Sequence, residues 1–122
     1  TSICNSAPSE FFAILALKHK EYLIKRNLEI IEKNLKLLDK FFKKYNHLFE
    51  WIRPKASSIA LPKIRFDKNV EDFCVDLVNK KGVLLLPSTM YDLDYKHFRI
   101  GFGRKNLPDA LEKLEEYIKG NF

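Results

Sequence analysis

Arg99 is the residue of this 122-residue chain whose type and position most favour binding chemistry. In the run 97–102 apolar and other side chains alternate, so on a strand Phe98 and Ile100 face one way and Arg99 faces the other. A guanidinium offers two parallel N–H donors, which suits a carboxylate or a phosphate. From the local sequence alone, the simpler interpretation is a cation on a solvated sheet face.

Other catalytic templates do not fit the sequence. Only four glycines are present, which excludes a Gly-rich phosphate loop. Gly101 and Gly103 lack the third glycine of a dinucleotide-binding fingerprint, whose place is taken by Asn106. The histidines and cysteines have no metal-ligand spacing, and the pair Asp92 and Asp94 is more typical of a turn than of acid–base catalysis. We therefore predict no catalytic residue and no metal ligand.

The apolar pattern predicts a buried helix at the start of the chain. Ser6 precedes Pro8 as a helix cap would, with the proline in the first turn. Residues 11–17 are apolar around the whole circumference. A helix of that kind has no face suited to water, so we expect the segment to be buried.

A second, longer helix is predicted from Tyr22 to Tyr45. Its apolar residues recur at alternating spacings of four and three, which draws one apolar stripe along the helix. Asn34 falls beside this stripe and Leu37 widens it, which favours packing on a globular body over a two-stranded coiled coil.

The rest of the chain alternates strands and helices. Strands are predicted at 49–53 and 58–64, at 83–86 with both faces covered, and at 97–102. Asn69 caps a helix that Gly82 ends, and a last helix begins near Asn106 and runs to Gly120. The order α-α-β-β-α-β-β-α, without repeats or linkers, predicts a single domain over 1–122 that mixes helices and strands.

Composition excludes several classes of protein. No apolar run approaches the roughly 20 residues of a membrane span. Two distant cysteines point to a reducing cytoplasm rather than a disulfide framework. Of the net charge of +6, about +5 comes from nine basic and four acidic residues between Lys18 and Tyr45. Acids there precede bases by four residues, as Asp39 precedes Lys43, which favours a solvated helix face over nucleic-acid binding.

Several segments together resemble a known family. The run LLLP at 84–87 and the run HFRIGFGRKNLPDAL at 97–111 resemble the C-terminal end of the class I/II aminotransferases, which are fold-type I pyridoxal-phosphate enzymes. Residues 3–10 resemble the stretch where that chain leaves its large domain, and residues 54–60 resemble the first strand of its small domain. The resemblance implies an α/β (α+β) fold: a long interdomain-type helix followed by a small mixed sheet with helices on one side. Residues 1–20 would then be a remnant of the connection between the two domains.

The resemblance also implies roles for individual residues. Arg99 matches the family arginine that pairs with the α-carboxylate of the substrate. Five further residues are candidate polar contacts near cofactor or substrate: Ser2, Asn5 and Ser6, in a stretch that resembles one close to the cofactor phosphate in the family dimer, and Ser57 and Ser88, which stand where relatives often have glycine.

The implied function is therefore that of the C-terminal domain of a cytoplasmic aminotransferase. Its full-length parent would use pyridoxal 5'-phosphate, amino-acid and 2-oxo-acid substrates, a large domain of the same enzyme, and a homodimer. A lyase or decarboxylase of the same fold is also compatible with this sequence. The Schiff-base lysine of the family belongs to the large domain and has no match here, so we expect the isolated chain to be inactive. The start at Thr1, without Met or a basic leader, likewise predicts a processed piece or a fragment.

Two alternatives from other classes stay open. One is a non-catalytic basic module that uses the long helix against nucleic acid or an acidic partner, through Lys33, Lys36, Lys40, Lys43 and Lys44. The other is a helical interaction domain that dimerises through the apolar stripe between Ile24 and Tyr45.

Overall fold

The computed structural model describes residues 4, 6–93 and 96–122. The helices are α1 (Ala7–Lys18), α2 (Lys20–Lys44), α3 (Val70–Lys81) and α4 (Leu107–Asn121). The strands are β1 (Phe49–Glu50), β2 (Ile59–Ala60), β3 (Lys63–Ile64), β4 (Leu86–Pro87) and β5 (Phe98–Gly101), and a 3₁₀ turn covers Ser88–Tyr91. No helix in this described part of the chain is long and apolar enough to cross a membrane.

The strands form two small antiparallel sheets. Strand β5 lies between β2 and β4, and β1 pairs with β3. A bridge between Lys63 and His97 links the two sheets. The single strand predicted at 58–64 is divided at Pro62, which has no N–H to donate to a neighbour, although its carbonyl accepts from Phe98 N at 3.0 Å. Every pairing among the described strands is antiparallel, where a mixed sheet was expected.

One aromatic core joins the helices to the sheets. The Phe49 ring lies 5.7 Å from Phe42, 6.3 Å from Phe73 and 5.9 Å from Phe98, measured between ring centroids. Leucines of α2, α3 and α4 surround these rings and are buried. Helices α2, α3 and α4 share this core with the strands, so the predicted α/β class is confirmed. Because the chain supplies this core from its own residues, it has what it needs to fold by itself.

The apolar stripe of α2 has two different environments. Its C-terminal half, with Leu38 and Phe42, is buried in the core, as is Tyr45 directly after the helix. The globular interpretation is therefore confirmed there, and these residues are not available as a dimer seam. The N-terminal half, with Ile24 and Leu28, is exposed.

Helix α1 contradicts the expectation that residues 11–17 are buried. No residue of α1 is buried, and Phe11 and Phe12 are 63% and 64% exposed. The helix leads into the exposed start of α2 through His19 and contributes no residue to the buried core. Its apolar circumference therefore faces solvent within this chain.

The stretch 83–86 also differs from its prediction. Only Leu86 of this stretch lies in a strand, and Pro87 continues that strand instead of ending it. Val83 and Leu85 are buried while Leu84 is 72% exposed, so the run is covered on one face rather than on both. Four apolar residues in a row do not reveal which side lacks a covering layer.

The ends of α3 confirm the sequence interpretation. Asn69 Oδ1 accepts a hydrogen bond from Glu71 N at 2.8 Å, which satisfies one of the free amides at the helix start. Gly82 has a φ of 67°, the left-handed conformation in which a side chain is disfavoured. These two residues fix where the chain enters and leaves the helix that packs behind the central sheet.

The acid–base pairs predicted along α2 do not form within 4 Å among the described residues. Asp39 instead accepts from Trp51 Nε1 and from Arg53 Nε, both at 2.8 Å. The indole and the guanidinium follow β1 and reach the carboxylate from outside the helix, so they displace the expected partner Lys43.

We predict that Asp76 makes folding stability depend on pH in the acid range. Hydrogen bonds from Tyr117 Oη at 2.6 Å, then from Lys80 and Lys68, lower the pKa of Asp76 to about 2. A depressed pKa means that its contribution is present above the ordinary pKa of 3.8 and is lost as the pH falls towards 2. On unfolding in this pH range, the Asp76→Asn variant should therefore take up as much as one proton fewer than the unchanged protein. The pH dependence of the free energy of unfolding, measured with denaturant at several pH values, checks this.

Tyr117→Phe provides a second test, because it removes the hydrogen bond that lowers the pKa of Asp76 most and should weaken the same pH dependence. The Asp76 variant keeps part of the dependence, because hydrogen bonds from Lys44 and Tyr45 lower the pKa of Glu115 to about 2 as well. Equal acid sensitivity of Asp76→Asn and the unchanged protein would contradict the prediction.

Candidate functional site

Strand β5 places Arg99 on the side of the sheet away from the core. Phe98 and Ile100 are buried, whereas Arg99 between them is half-buried and pairs across the sheet with Leu86 of β4. The alternation predicted from the sequence is confirmed. Because both neighbours are held in the core, the direction of the Arg99 side chain is set by the strand itself.

The Arg99 side chain opens into a groove of about 470 Å³. In the described part of the chain this groove is lined by Ser58, Ile59, Leu84, Leu86, Arg99, Gly101, Gly103 and Arg104. None of these is acidic, so neither guanidinium meets a carboxylate there. We call this cavity the Arg99 groove. Its small residues leave room beside the cation, since a methyl group added at Gly101 would meet no atom within 4 Å.

Tyr91 holds the Arg99 guanidinium. Arg99 Nη1 donates to Tyr91 Oη at 2.8 Å, and Tyr91 lies in the 3₁₀ turn that follows β4. This bond uses one of the five N–H donors of the guanidinium, so the others stay available to a ligand. Sequence reasoning missed Tyr91, because no pattern relates a tyrosine in a turn to an arginine on the next strand.

Asn34 fixes the far end of the Arg99 groove. Its side chain is buried, and its Nδ2 donates to the carbonyls of Phe102 at 2.9 Å and Arg104 at 2.7 Å. Two backbone carbonyls that follow β5 are thereby satisfied by a residue of α2. The available signal in the sequence was an asparagine beside an apolar stripe, which indicates a polar contact but not its partner.

The backbone after β5 also passes close to the segment before β2. A Cβ added at Gly103 would lie 3.2 Å from Ser58 Cβ, closer than such atoms normally approach. Phe102 N donates to the Ser58 carbonyl at 2.8 Å. Glycine at position 103 therefore permits the tight contact that closes this side of the groove.

The serines named from the family resemblance lie in different places. Ser88 is fully buried and its Oγ accepts from His97 N at 3.3 Å, so it ties the 3₁₀ turn to the chain entering β5. Ser57 is exposed, and it lines a separate groove between α2 and the segment before β2. Ser6 caps α1 without a side-chain hydrogen bond. Ser2 and Asn5 lie outside the described residues.

Other candidates for chemistry do not assemble into a site in the described residues. No group of three or more potential metal ligands occurs there. Cys74 is buried, and burial raises the pKa of its thiol to about 12, so it is not a reactive thiolate. Asp92 has a φ of 54° in a turn, as expected, and Asp94 lies outside the described residues.

The basic stripe of α2 faces solvent. Lys33, Lys36, Lys40 and Lys43 are exposed, and Lys44 forms an ion pair of 2.5 Å with Glu115 of α4. This exposed arrangement agrees with the interpretation as a solvated helix face. Binding of nucleic acid or an acidic partner stays a prediction from charge alone.

Comparison with known proteins gives matches among solved structures, whereas no family model and no curated protein matches the chain. A PLP-dependent aminotransferase from Streptococcus suis is 35% identical, with a TM-score of 0.89, over 98% of this chain and 32% of its own. The PLP-dependent cyclase OrfR is 26% identical, with a TM-score of 0.88, over 100% of this chain and 34% of its own. Aspartate aminotransferase from Thermotoga maritima, at 19% identity and a TM-score of 0.75, shows the same fold.

The resemblance to PLP-dependent aminotransferases is thereby confirmed over nearly the whole sequence. The chain spans about one third of the length of the solved structures that it matches. Such a share is the one expected of the small C-terminal portion that the sequence indicated.

We predict that Ser57 strains the backbone at the edge of its groove. Its φ of 81° lies in the left-handed region, which costs a non-glycine residue about 1 kcal/mol. Ser57→Gly should therefore leave the free energy of unfolding nearly unchanged, because relief of this strain offsets the greater unfolded-state entropy of glycine and the loss of the hydrogen bond that Ile59 N donates to Ser57 Oγ at 3.3 Å.

Ser58→Gly is the matched control for this prediction. Ser58 does not have a positive φ, so glycine there should lower the free energy of unfolding by about 0.5–1 kcal/mol. Denaturant unfolding of the two variants measures both effects. Destabilisation of similar size in both would show that Ser57 carries no strain.

Proposed function

We propose that this chain is the C-terminal domain of a PLP-dependent aminotransferase and that Arg99 binds the α-carboxylate of its substrates. The observation that supports the proposal is the direction of Arg99 from the central strand into a groove whose described lining contains no acid. An arginine without a carboxylate partner in such a groove is suited to an anion from solution. The amino-acid and 2-oxo-acid substrates of transamination both carry that anion.

The geometry of Arg99 suits the orientation of a small acid. Two parallel N–H···O bonds fix the plane of a carboxylate, and with it the direction of the attached Cα. The bond from Nη1 to Tyr91 limits rotation of the guanidinium before a ligand arrives. The chain's contribution to transamination is then to bind the substrate and direct its Cα, and transfer of the amino group takes place at the cofactor.

The residues of this chain do not by themselves fit a site for pyridoxal phosphate. Covalent attachment requires a lysine amine of lowered pKa, which burial provides. None of the described lysines is buried, and none lines the Arg99 groove. We therefore assign the cofactor to the parent enzyme, where it is attached through a lysine outside residues 1–122. In this proposal the isolated chain is inactive.

The exposed apolar helix α1 supports a larger parent. Phe11, Phe12 and Leu17 are each more than 60% exposed, and a helix that is apolar all round is normally covered. We assign residues 1–20 to the connection with a large domain that covers them. A homodimeric, cytoplasmic parent of class I/II completes the proposal, in keeping with the free cysteines Cys4 and Cys74.

We predict that the isolated chain is not labelled stoichiometrically by pyridoxal phosphate. The chain would be mixed with the cofactor, reduced with borohydride and mapped by mass spectrometry. Exposed lysines should give low labelling spread over many sites. Stoichiometric labelling of one lysine would contradict the assignment of the attachment site to another part of the parent.

We further predict that Arg99→Gln in the full-length parent lowers kcat/KM for its amino-acid substrate about 100-fold or more, because a charge-assisted pair with the carboxylate is lost. The cofactor content should not change. Arg65→Gln is the matched control, since Arg65 is exposed and pairs with Glu50 away from the groove. If the two substitutions have the same effect on kcat/KM, Arg99 does not bind the carboxylate.

A further inference from the structure

Arg99 and Tyr91 form a pair at the edge of the Arg99 groove. Arg99 Nη1 donates to Tyr91 Oη at 2.8 Å, and this is the single hydrogen bond that the guanidinium makes with the described residues. Arg99 lines the groove, whereas Tyr91 is not part of its described lining. The nitrogen Nη1 is therefore directed away from the cavity, towards the 3₁₀ turn that carries the tyrosine.

The direction of Nη1 sets the direction of the other two guanidinium nitrogens. All three lie in one plane around a central carbon, so the edge formed by Nε and Nη2 is opposite Nη1. Neither Nε nor Nη2 of Arg99 bonds a described residue. The Nε–Nη2 edge is therefore turned towards the groove with two free, parallel N–H donors, which is the arrangement that both oxygens of a carboxylate accept.

Tyr91 orients the cation without neutralising it. A phenol is a neutral acceptor, so Arg99 keeps its full positive charge while one of its nitrogens is held. A carboxylate in the place of the phenol would instead form an ion pair with Arg99 and compete with an incoming anion. Since no acid belongs to the described lining of the groove, that charge is left for a ligand.

The turn that carries Tyr91 is fixed to the body of the domain. Ser88 is fully buried, and its N–H donates to the carbonyl of His97 at 2.8 Å. Thr89 Oγ1 donates to Glu71 Oε1 of α3. The backbone from which the tyrosine extends is thus held on both the strand side and the helix side. A phenol on such a backbone can restrain a partner instead of following its motion.

We infer that Tyr91 is a positioning residue that directs the carboxylate of a ligand to the Nε–Nη2 edge of Arg99. This inference rests on the proposed function, in which Arg99 binds the α-carboxylate of the substrate. A carboxylate can form two bonds with a guanidinium on either of two edges, and the bond to Tyr91 selects one of them. Because the chosen edge fixes the plane of the carboxylate, Tyr91 also sets the direction of the attached Cα.

The test follows the Nε–H resonance of Arg99 by NMR in the 122-residue chain, with propionate as the ligand and the ionic strength held constant with sodium chloride. The resonance is assigned by its loss in Arg99→Gln. Propionate should shift it more than the Nε–H of any other arginine, because a carboxylate oxygen accepts directly from this group. The backbone amides of Gly101 and Gly103, which line the groove, report binding independently.

Tyr91→Phe should change both the affinity and the edge that is used. Propionate should bind about threefold more weakly, because the ligand must then order the guanidinium itself. The Nε–H shift extrapolated to saturation should fall to about half, because two edges are then shared. A purely structural role of Tyr91 would lower stability in denaturant but leave this saturating shift unchanged.

Tyr22→Phe is the matched control, because it removes a hydroxyl from the same type of side chain far from the groove. Tyr22 is 69% exposed on α2 and bonds no described residue. The control should change neither the affinity for propionate nor the saturating Nε–H shift of Arg99.

The possible results separate this inference from the proposed function. An unchanged saturating shift in Tyr91→Phe, or an equal change in Tyr22→Phe, would overturn the inference while Arg99 still binds carboxylates. An Arg99 Nε–H that stays in place while the groove amides move would overturn it too. If propionate does not bind, or binds equally well to Arg99→Gln, the proposed carboxylate site fails, and the inference fails with it.

Discussion

The alternation of side chains along β5 is the constraint on which the rest of the site depends. Phe98 and Phe102 are fully buried, and the Phe98 ring lies 5.9 Å from Phe49 and 5.6 Å from Phe73, between centroids. Turning Arg99 towards the core would expose these rings and bury an unpaired charge, both of which are costly. The aromatic core therefore fixes the direction of a residue that it does not touch.

A single buried amide adds a second constraint. Asn34 is one of the few polar residues buried in the described part of the chain, and its Nδ2 bonds two carbonyls near the end of β5. An apolar side chain there would leave those carbonyls without this donor in a place that water reaches poorly. The bonds join α2 to the segment that carries Gly103 and Arg104, so the long helix holds one end of the groove in place.

Features set by short-range patterns were predictable from the sequence. The ends of α3 at Asn69 and Gly82 and the two faces of β5 depend only on neighbouring residues, and the structure confirms them. Contacts between distant residues were not predictable. The bond from Arg99 to Tyr91 depends on how the 3₁₀ turn folds back, and the bonds from Asn34 span about 70 positions of sequence. The exposure of Leu84 was unpredictable for the same reason, because the sequence does not show on which side of this run a covering layer is missing.

The prediction that α1 is buried was wrong for a related reason. An apolar circumference indicates that a helix is to be covered, but it does not say which polypeptide covers it. Within this chain the aromatic core is complete without α1, as the burial of Leu38 and Phe42 in the adjoining α2 shows. Residues such as Phe11 and Phe12 therefore do not serve the stability of the small domain. Under the proposed function, the large domain of the parent enzyme covers this apolar surface and also supplies the attachment lysine that the described lining of the Arg99 groove lacks.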